Sequence, residues 1–308
     1  MNDTDRLLAG LERLVDRMEA LLARADERAA VAGRIVDQTA DQVVGQVDWS
    51  SAIAFQWRGG RLRPVYQPHR IELAQLRGVD RQKAELDRNT RQFLAGLPAN
   101  NALLWGSRGT GKSSLVKALL GEYAEQGLRL IEVEARHLVD LPDIIDLVRG
   151  RPERFIVFCD DLSFEADDAS YKELKAVLDG SLAGTADNVL IYATSNRRHL
   201  LPEYFSENRA ARIVDEEIHH GDAVEEKISL SERFGLCLSF YPFPQEQYLE
   251  ICFGWLGALG AVLDDPETVR LEALRYALER GSRSGRVAWQ FACGWAGRQA
   301  LTVPNVQS

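Results

Sequence analysis

Gly106-Ser107-Arg108-Gly109-Thr110-Gly111-Lys112-Ser113 is the stretch that decides the fold of this 308-residue chain. It satisfies G-x-x-x-x-G-K-[ST] at every fixed position, which average residue usage produces by accident in roughly one chain of this length in a hundred. The flanks narrow the reading. Ala102–Trp105 is a short apolar run that reads as a strand, and residues 112–126 read as a helix. Glycines in such a loop let backbone N–H groups turn inward onto phosphate oxygens. The helix that starts near Lys112 points its positive end at the same anion. Gly106, Ser107, Arg108, Gly109, Thr110, Gly111, Lys112, Ser113 and Ser114 are therefore expected to hold a nucleotide. Lys112 should reach the β- and γ-phosphates, and Ser113 should supply an oxygen to Mg2+.

Further along the chain, the next long apolar run is Phe155–Cys159, followed by Asp160 and Asp161. A continuous apolar strand of this kind is buried on both faces of a parallel sheet. Acids at its end sit where α/β folds bind ligands. About fifty residues after a phosphate-binding loop, Asp160 fits a Walker B aspartate that holds Mg2+ through water. Asp161 fits the base or water-orienting carboxylate. A helix cap would explain two such acids taken alone. The strand Val189–Ala193 is followed by Thr194, Ser195 and Asn196, a position beside the γ-phosphate from which a polar side chain can orient water. Taken alone it would be a plain turn. Strands also read at 128–133 and 237–240, with helices between them at 142–148 and around 171–182. Alternating strands and helices predict a parallel five-stranded α/β sheet with right-handed crossovers. After Pro244 the strands stop, and residues 245–259, 266–280 and 284–302 read as three helices.

This set of features resembles the AAA+ ATPases. The resemblance implies a P-loop NTPase fold with a C-terminal helical lid and makes Asn196 the sensor 1 residue. It implies an arginine finger at Arg233, within Ser231-Glu232-Arg233-Phe234, acting on a neighbour's nucleotide. Residues 197–230 form a longer and more acidic link than is usual in that family, so Arg209 or Arg212 could serve instead. Arg286, in Gly285-Arg286-Val287-Ala288, resembles sensor 2, with Arg283 as the alternative. Leu76-Arg77-Gly78-Val79-Asp80 resembles the stretch that contacts adenine. Residues 101–114 and 226–236 further resemble an uncharacterised bacterial family of predicted ATPases, domain of unknown function 815, over roughly residues 50–300. That implies an ATP- and Mg2+-using engine, expected to work as a homo-oligomer, a ring included, on a macromolecular client.

The remaining sequence bounds the reading. Residues 1–50 are expected to be a helical arm, because Leu7, Leu11, Leu14, Met18, Leu21 and Ala25 alternate at spacings of four and three. That seam could pair with another copy or dock on its own body. Residues 51–75, with Gly59-Gly60, Pro64 and Pro68, read as a connecting segment of turns and short extended pieces. Residues 76–244 then form the nucleotide-binding domain, with a helix over 80–97, and 245–308 the lid. The net charge of −9 disfavours bulk nucleic-acid binding. It is uneven: residues 51–100 carry nine bases and four acids, and residues 201–250 carry four bases and eleven acids. The acidic segment is either a solvated surface or a complement for another copy or a basic partner. Nucleic acid stays open as a client, although the basic segment lacks interleaved aromatics apart from Trp57 and Tyr66.

No uncharged apolar stretch reaches the ~18–20 residues that span a bilayer, and Met1-Asn2-Asp3-Thr4-Asp5 has no basic or apolar leader, so a cytoplasmic protein is expected. Cys159, Cys237, Cys252 and Cys293 form no Cys-x-x-Cys pair and read as buried free thiols. His219 and His220, near Glu216, Glu217 and Asp222, read as a polar loop rather than a metal site. No Asn/Thr-Lys-x-Asp stretch follows the loop, which disfavours a GTPase. No Leu-Ser-Gly-Gly signature appears, which disfavours a transporter ATPase. Hydrolysis of ATP is the expected activity, and a nucleotide-dependent switch with little turnover is the alternative.

Overall fold

The computed structural model describes residues 47–49, 52–68, 71–164, 169–179, 186–196, 212–214, 217–219 and 230–302. The heptad seam of residues 7–25, Arg209, the side chain of Arg212 and the cluster around His220 lie outside what is described. The chain divides into two compact units, Met1–Asp48 and Trp49–Ser308.

The strands of the second unit are β1 (Ala54–Arg58), β2 (Arg61–Val65), β3 (Ala102–Gly106), β4 (Leu128–Glu132), β5 (Arg154–Cys159), β6 (Val189–Ser195), β7 (Arg212–Val214), β8 (Glu217–His219) and β9 (Leu236–Phe240). One sheet runs β2-β1-β4-β5-β6-β3-β9, and β7 and β8 pair separately. The five expected strands form a parallel block, β4-β5-β6-β3-β9. The sheet has seven strands because a hairpin extends one edge. Residues 51–75 are thus more than a connector. Gly59 and Gly60 both take positive φ, 57° and 72°, which suits a two-residue hairpin turn twisted to match its strands. β1 then pairs parallel with β4 from Ala54 to Gln56. Pro64 lies on β2, an edge strand, where its missing N–H breaks no ladder.

The helices are α1 (Asp80–Leu94), α2 (Lys112–Tyr123), α3 (Leu141–Val148), α4 (Ala169–Leu178), α5 (Gln245–Ala258), α6 (Pro266–Glu279) and α7 (Gly285–Thr302). Every residue of β6 is buried, and Phe155–Cys159 of β5 are buried throughout. Leu86 and Phe93 of α1 and Leu115 and Leu119 of α2 join the core on one side of the sheet. In the lid, Tyr248 and Cys252 of α5 belong to the same core as Ala273 of α6 and Ala288 of α7. Asp265 caps α6, its Oδ1 accepting from Glu267 N at 3.1 Å and Thr268 N at 3.3 Å, with Pro266 in the first turn.

All four cysteines are free, but only Cys159 and Cys252 are buried. Cys237 lies on the outward-facing side of edge strand β9, and Cys293 on an exposed position of α7, so an apolar sequence context did not guarantee burial. Among the described residues no helix is long and apolar enough to cross a membrane.

The parallel block matters for chemistry. β3, β5 and β6 are neighbours with one direction, so the segments that leave their carboxyl ends converge on one edge.

Candidate functional site

The loop after β3 is shaped by close backbone approach. Gly106 has φ 129°, and a Cβ there would sit 2.0 Å from the carbonyl oxygen of Phe240 on β9. Ser107 N donates to that same oxygen at 2.9 Å, so only glycine lets the strands meet as the loop begins. Gly109 has φ 73°, and a Cβ there would meet Ser284 Oγ at 2.9 Å. Its carbonyl accepts from Arg286 N at 3.2 Å, so the start of α7 rests on the loop. Thr110 Oγ1 donates to Ser107 O at 2.7 Å and closes the turn.

Lys112 Nζ donates to Gly106 O and Ser107 O, each at 2.8 Å, and to Asn196 Oδ1 at 3.2 Å. Burial pushes the Lys112 ammonium below its ordinary pKa. Asp161 and Asp160 oppose that shift, while Arg108 and Arg286 reinforce it. Ser113 Oγ donates to Asp160 Oδ1 at 2.5 Å. Asp160 Oδ1 also accepts from Thr194 Oγ1 at 2.6 Å, and Asp161 N donates to that hydroxyl at 2.9 Å. Asn196 Nδ2 donates to Asp161 Oδ1. Thr194 and Ser195 belong to β6 and are buried, so the strand runs two residues past the expected Val189–Ala193.

These groups line one cavity of about 390 Å³, with Arg108, Lys112, Ser113, Asp160, Asp161, Thr194, Asn196 and Arg286 in its walls. Ser113 and Asp160 present hard oxygens only. That donor set fits Mg2+, which takes one or two carboxylates and leaves further positions to water and phosphate. Among the described residues no group of three or more His, Cys, Asp or Glu forms a metal cage of its own.

A second cavity of about 470 Å³ adjoins the loop through Gly109, Gly111 and Ser114. Leu76, Arg77 and Val79, from the stretch that resembles an adenine contact, line it. Phe243, Ile251, Trp255 and Trp289 complete it from β9's exit and two lid helices. The Trp255 and Trp289 rings meet edge to face, 4.7 Å between centroids at 71°. Sequence reading did not single out these four, because lone apolar residues on a helix or just past a strand carry no mark of a ligand.

The arginines separate. Arg286 lines both cavities. Arg283 lines neither, and its carbonyl accepts from Phe243 N at 3.1 Å. Arg233 also lies outside both and pairs with Asp179 just past α4. Within this one chain it does not join the cluster around Lys112.

A RuvB variant of Thermotoga maritima superposes with a TM-score of 0.50 at 15% identity, over 72% of this chain and 63% of that one. The Aeropyrum pernix ORC1 protein, solved in complex with DNA, gives 0.49 at 18% identity, over 76% of this chain and 63% of that one. The chain thus spans under two thirds of either structure. No curated protein matches it. The sequence model described as Protein of unknown function (DUF815) matches residues 50–299. The chain therefore belongs to the DUF815 family and carries an α/β P-loop NTPase fold.

Proposed function

We propose that this protein binds ATP with Mg2+, hydrolyses it, and uses the movement of its lid to act on a macromolecular partner. The observation that carries this reading is the convergence of Lys112, Ser113, Asp160, Asp161 and Asn196 on one polar cavity beside an apolar one. The two together fit a triphosphate and a base.

In this reading the loop amides and Lys112 hold the phosphates, which replace the carbonyl partners that Lys112 has here. Ser113 and Asp160 hold Mg2+, which when bound neutralises charge on the β- and γ-phosphates. Asp161 takes a proton from the attacking water, and Asn196 holds both that carboxylate and Lys112. Arg286 faces the phosphates and hangs on α7, so it is the candidate sensor 2 in preference to Arg283. Arg233 is the candidate finger for a neighbouring copy, which calls for a homo-oligomer, a ring included.

One observation favours the low-turnover switch as a second reading. The Asp161 carboxylate is already engaged by Asn196, and Asp is shorter than the Glu common in its place. Turnover measured against protein concentration separates the two. Activity per chain that climbs with concentration supports an assembled ATPase, and slow hydrolysis indifferent to concentration supports the switch. The reading itself is tested by Lys112→Ala, expected to lose nucleotide binding or turnover. Wild-type-like ATPase activity in that purified variant would sink it.

A further inference from the structure

Asp160 and Asp161 are adjacent at the end of β5 and yet line the same cavity. Consecutive side chains in an extended strand point to opposite faces, so something must turn the second acid back. That something is visible in the backbone. Asp161 has φ 54°, the only positive φ at a non-glycine among the described residues. Left-handed backbone is disfavoured for residues with a Cβ, Asp and Asn tolerating it best. A partner must hold it there. Leu162 N donates to Thr194 O at 2.7 Å, and Ser195 Oγ donates to Leu162 O at 2.8 Å, so β6 grips the residue after the turn. The turn itself is gripped by the Thr194 hydroxyl.

We propose that Thr194 is a positioning residue that assigns the two aspartates their separate tasks, one toward the metal and one toward water. This deepens the ATPase reading and rests on it. A hydroxyl has one proton to donate and lone pairs to accept with. Here the proton goes to Asp160 Oδ1 at 2.6 Å and a lone pair takes Asp161 N–H at 2.9 Å. Asp160 Oδ1 is thereby held between two hydroxyls, those of Thr194 and Ser113. Asp161 is held in the turn that presents its carboxylate to Asn196. Thr194 is 1% exposed, so its hydroxyl is engaged by these partners and not by bulk water. Valine has the same shape without the hydroxyl, and serine has the hydroxyl without the methyl.

The test compares wild type, Thr194→Val and Thr194→Ser in the full chain, with thermal unfolding as a folding control. Three quantities are read: ADP affinity in EDTA, Mn2+ affinity in the presence of ADP by electron paramagnetic resonance, and kcat and KM for ATP. For the valine variant we expect metal-free ADP affinity within ~2-fold of wild type, since loop contacts are intact. Mn2+ binding should weaken ~10-fold, as for loss of a group that orients a ligand. Turnover should fall ~100-fold through kcat, as for a misplaced reacting group. The serine variant should recover both to within ~3-fold. Thr194→Ala replaces the valine variant if the latter does not fold. Wild-type Mn2+ affinity and kcat in a hydroxyl-free variant overturn the proposal, and so does a folded serine variant that recovers neither. A wild-type protein that binds Mn2+ and ADP but hydrolyses nothing overturns the ATPase reading alone, because the Mn2+ titration still decides the role of Thr194. A wild type that binds neither overturns both.

Discussion

The two halves of the cleft are built by different rules. The polar half, the phosphate side of the proposed reading, draws on the continuous run 106–114, the ends of β5 and β6 and Arg286 of α7, and hydroxyls, carboxylates, an amide and a lysine bond to one another within it. The apolar half, the base side of the proposed reading, draws on the segment before α1, the exit of β9, α5 and α7, and its walls are mainly aliphatic and aromatic. Directed polar contacts act nearly all or none, because a missing partner leaves a buried group unpaired. Apolar contact scales with area removed from water, at about 25 cal/mol per Å². The phosphate side should therefore answer to substitution abruptly and the base side gradually.

The largest expected effect is that of Lys112→Ala. Loss of the cation in the polar cavity should cut nucleotide affinity or turnover at least ~100-fold, the scale of removing a charged electrostatic stabiliser. A loss of only a few-fold in calorimetric ATP binding and in turnover would make the phosphate side as gradual as the base side. Next comes Asp161→Asn, which keeps shape and removes the base. Turnover should fall ~100-fold while ATP affinity stays within ~3-fold, read by single-turnover hydrolysis beside equilibrium binding. An equal fall in affinity would assign Asp161 to binding.

Smaller is Trp289→Ala. Trp289 is 41% exposed and lines only the base-side cavity of the two. ATP binding should weaken ~5–10-fold, in line with partial loss of an aromatic contact, and tripolyphosphate binding should not change. Equal weakening of both ligands would break the division between the halves. Smallest is Gly254→Ala on α5. A Cβ there would lie 2.8 Å from Arg77 Nε and 2.9 Å from its Cζ, so the long side chain must shift off the helix. A glycine-to-alanine change in a helix interior favours the helix by ~1 kcal/mol, so the melting temperature should not fall. ATP affinity should drop ~2–3-fold through displaced Arg77, a cavity-lining residue, with kcat kept. This magnitude reflects moving one flexible group rather than deleting it. A drop in kcat instead would tie Arg77 to the chemistry.

The same contrast governs how much was legible in the sequence. The loop residues were legible because chemistry needs them at set intervals along one stretch. Asp160, Asp161 and Asn196 were legible once that stretch was known, since each follows a strand of the same sheet. Thr194 stood in the Thr194-Ser195-Asn196 run, but its role came from where its one proton points. The β1–β2 hairpin was missed because Gly59-Gly60 and Pro64 are turn signals that an edge hairpin also uses. The exposure of Cys237 and Cys293 was missed because apolar neighbours in sequence are not neighbours on a face.

Sequence alone determined what is local: the phosphate loop, the strand and helix periods, and the acids placed one residue beyond a buried strand. These depend on backbone freedom and on side-chain type within a few residues, so the string contains them. Tertiary structure decided what is distant. It set the strand order that makes β3, β5 and β6 neighbours and seated Arg77 on Gly254. It also brought Arg286 rather than Arg283 to both cavities, and used Thr194 to turn Asp161. Each of these is a contact between residues far apart in the chain, chosen by packing and hydrogen-bond direction, and no spacing along the sequence records it.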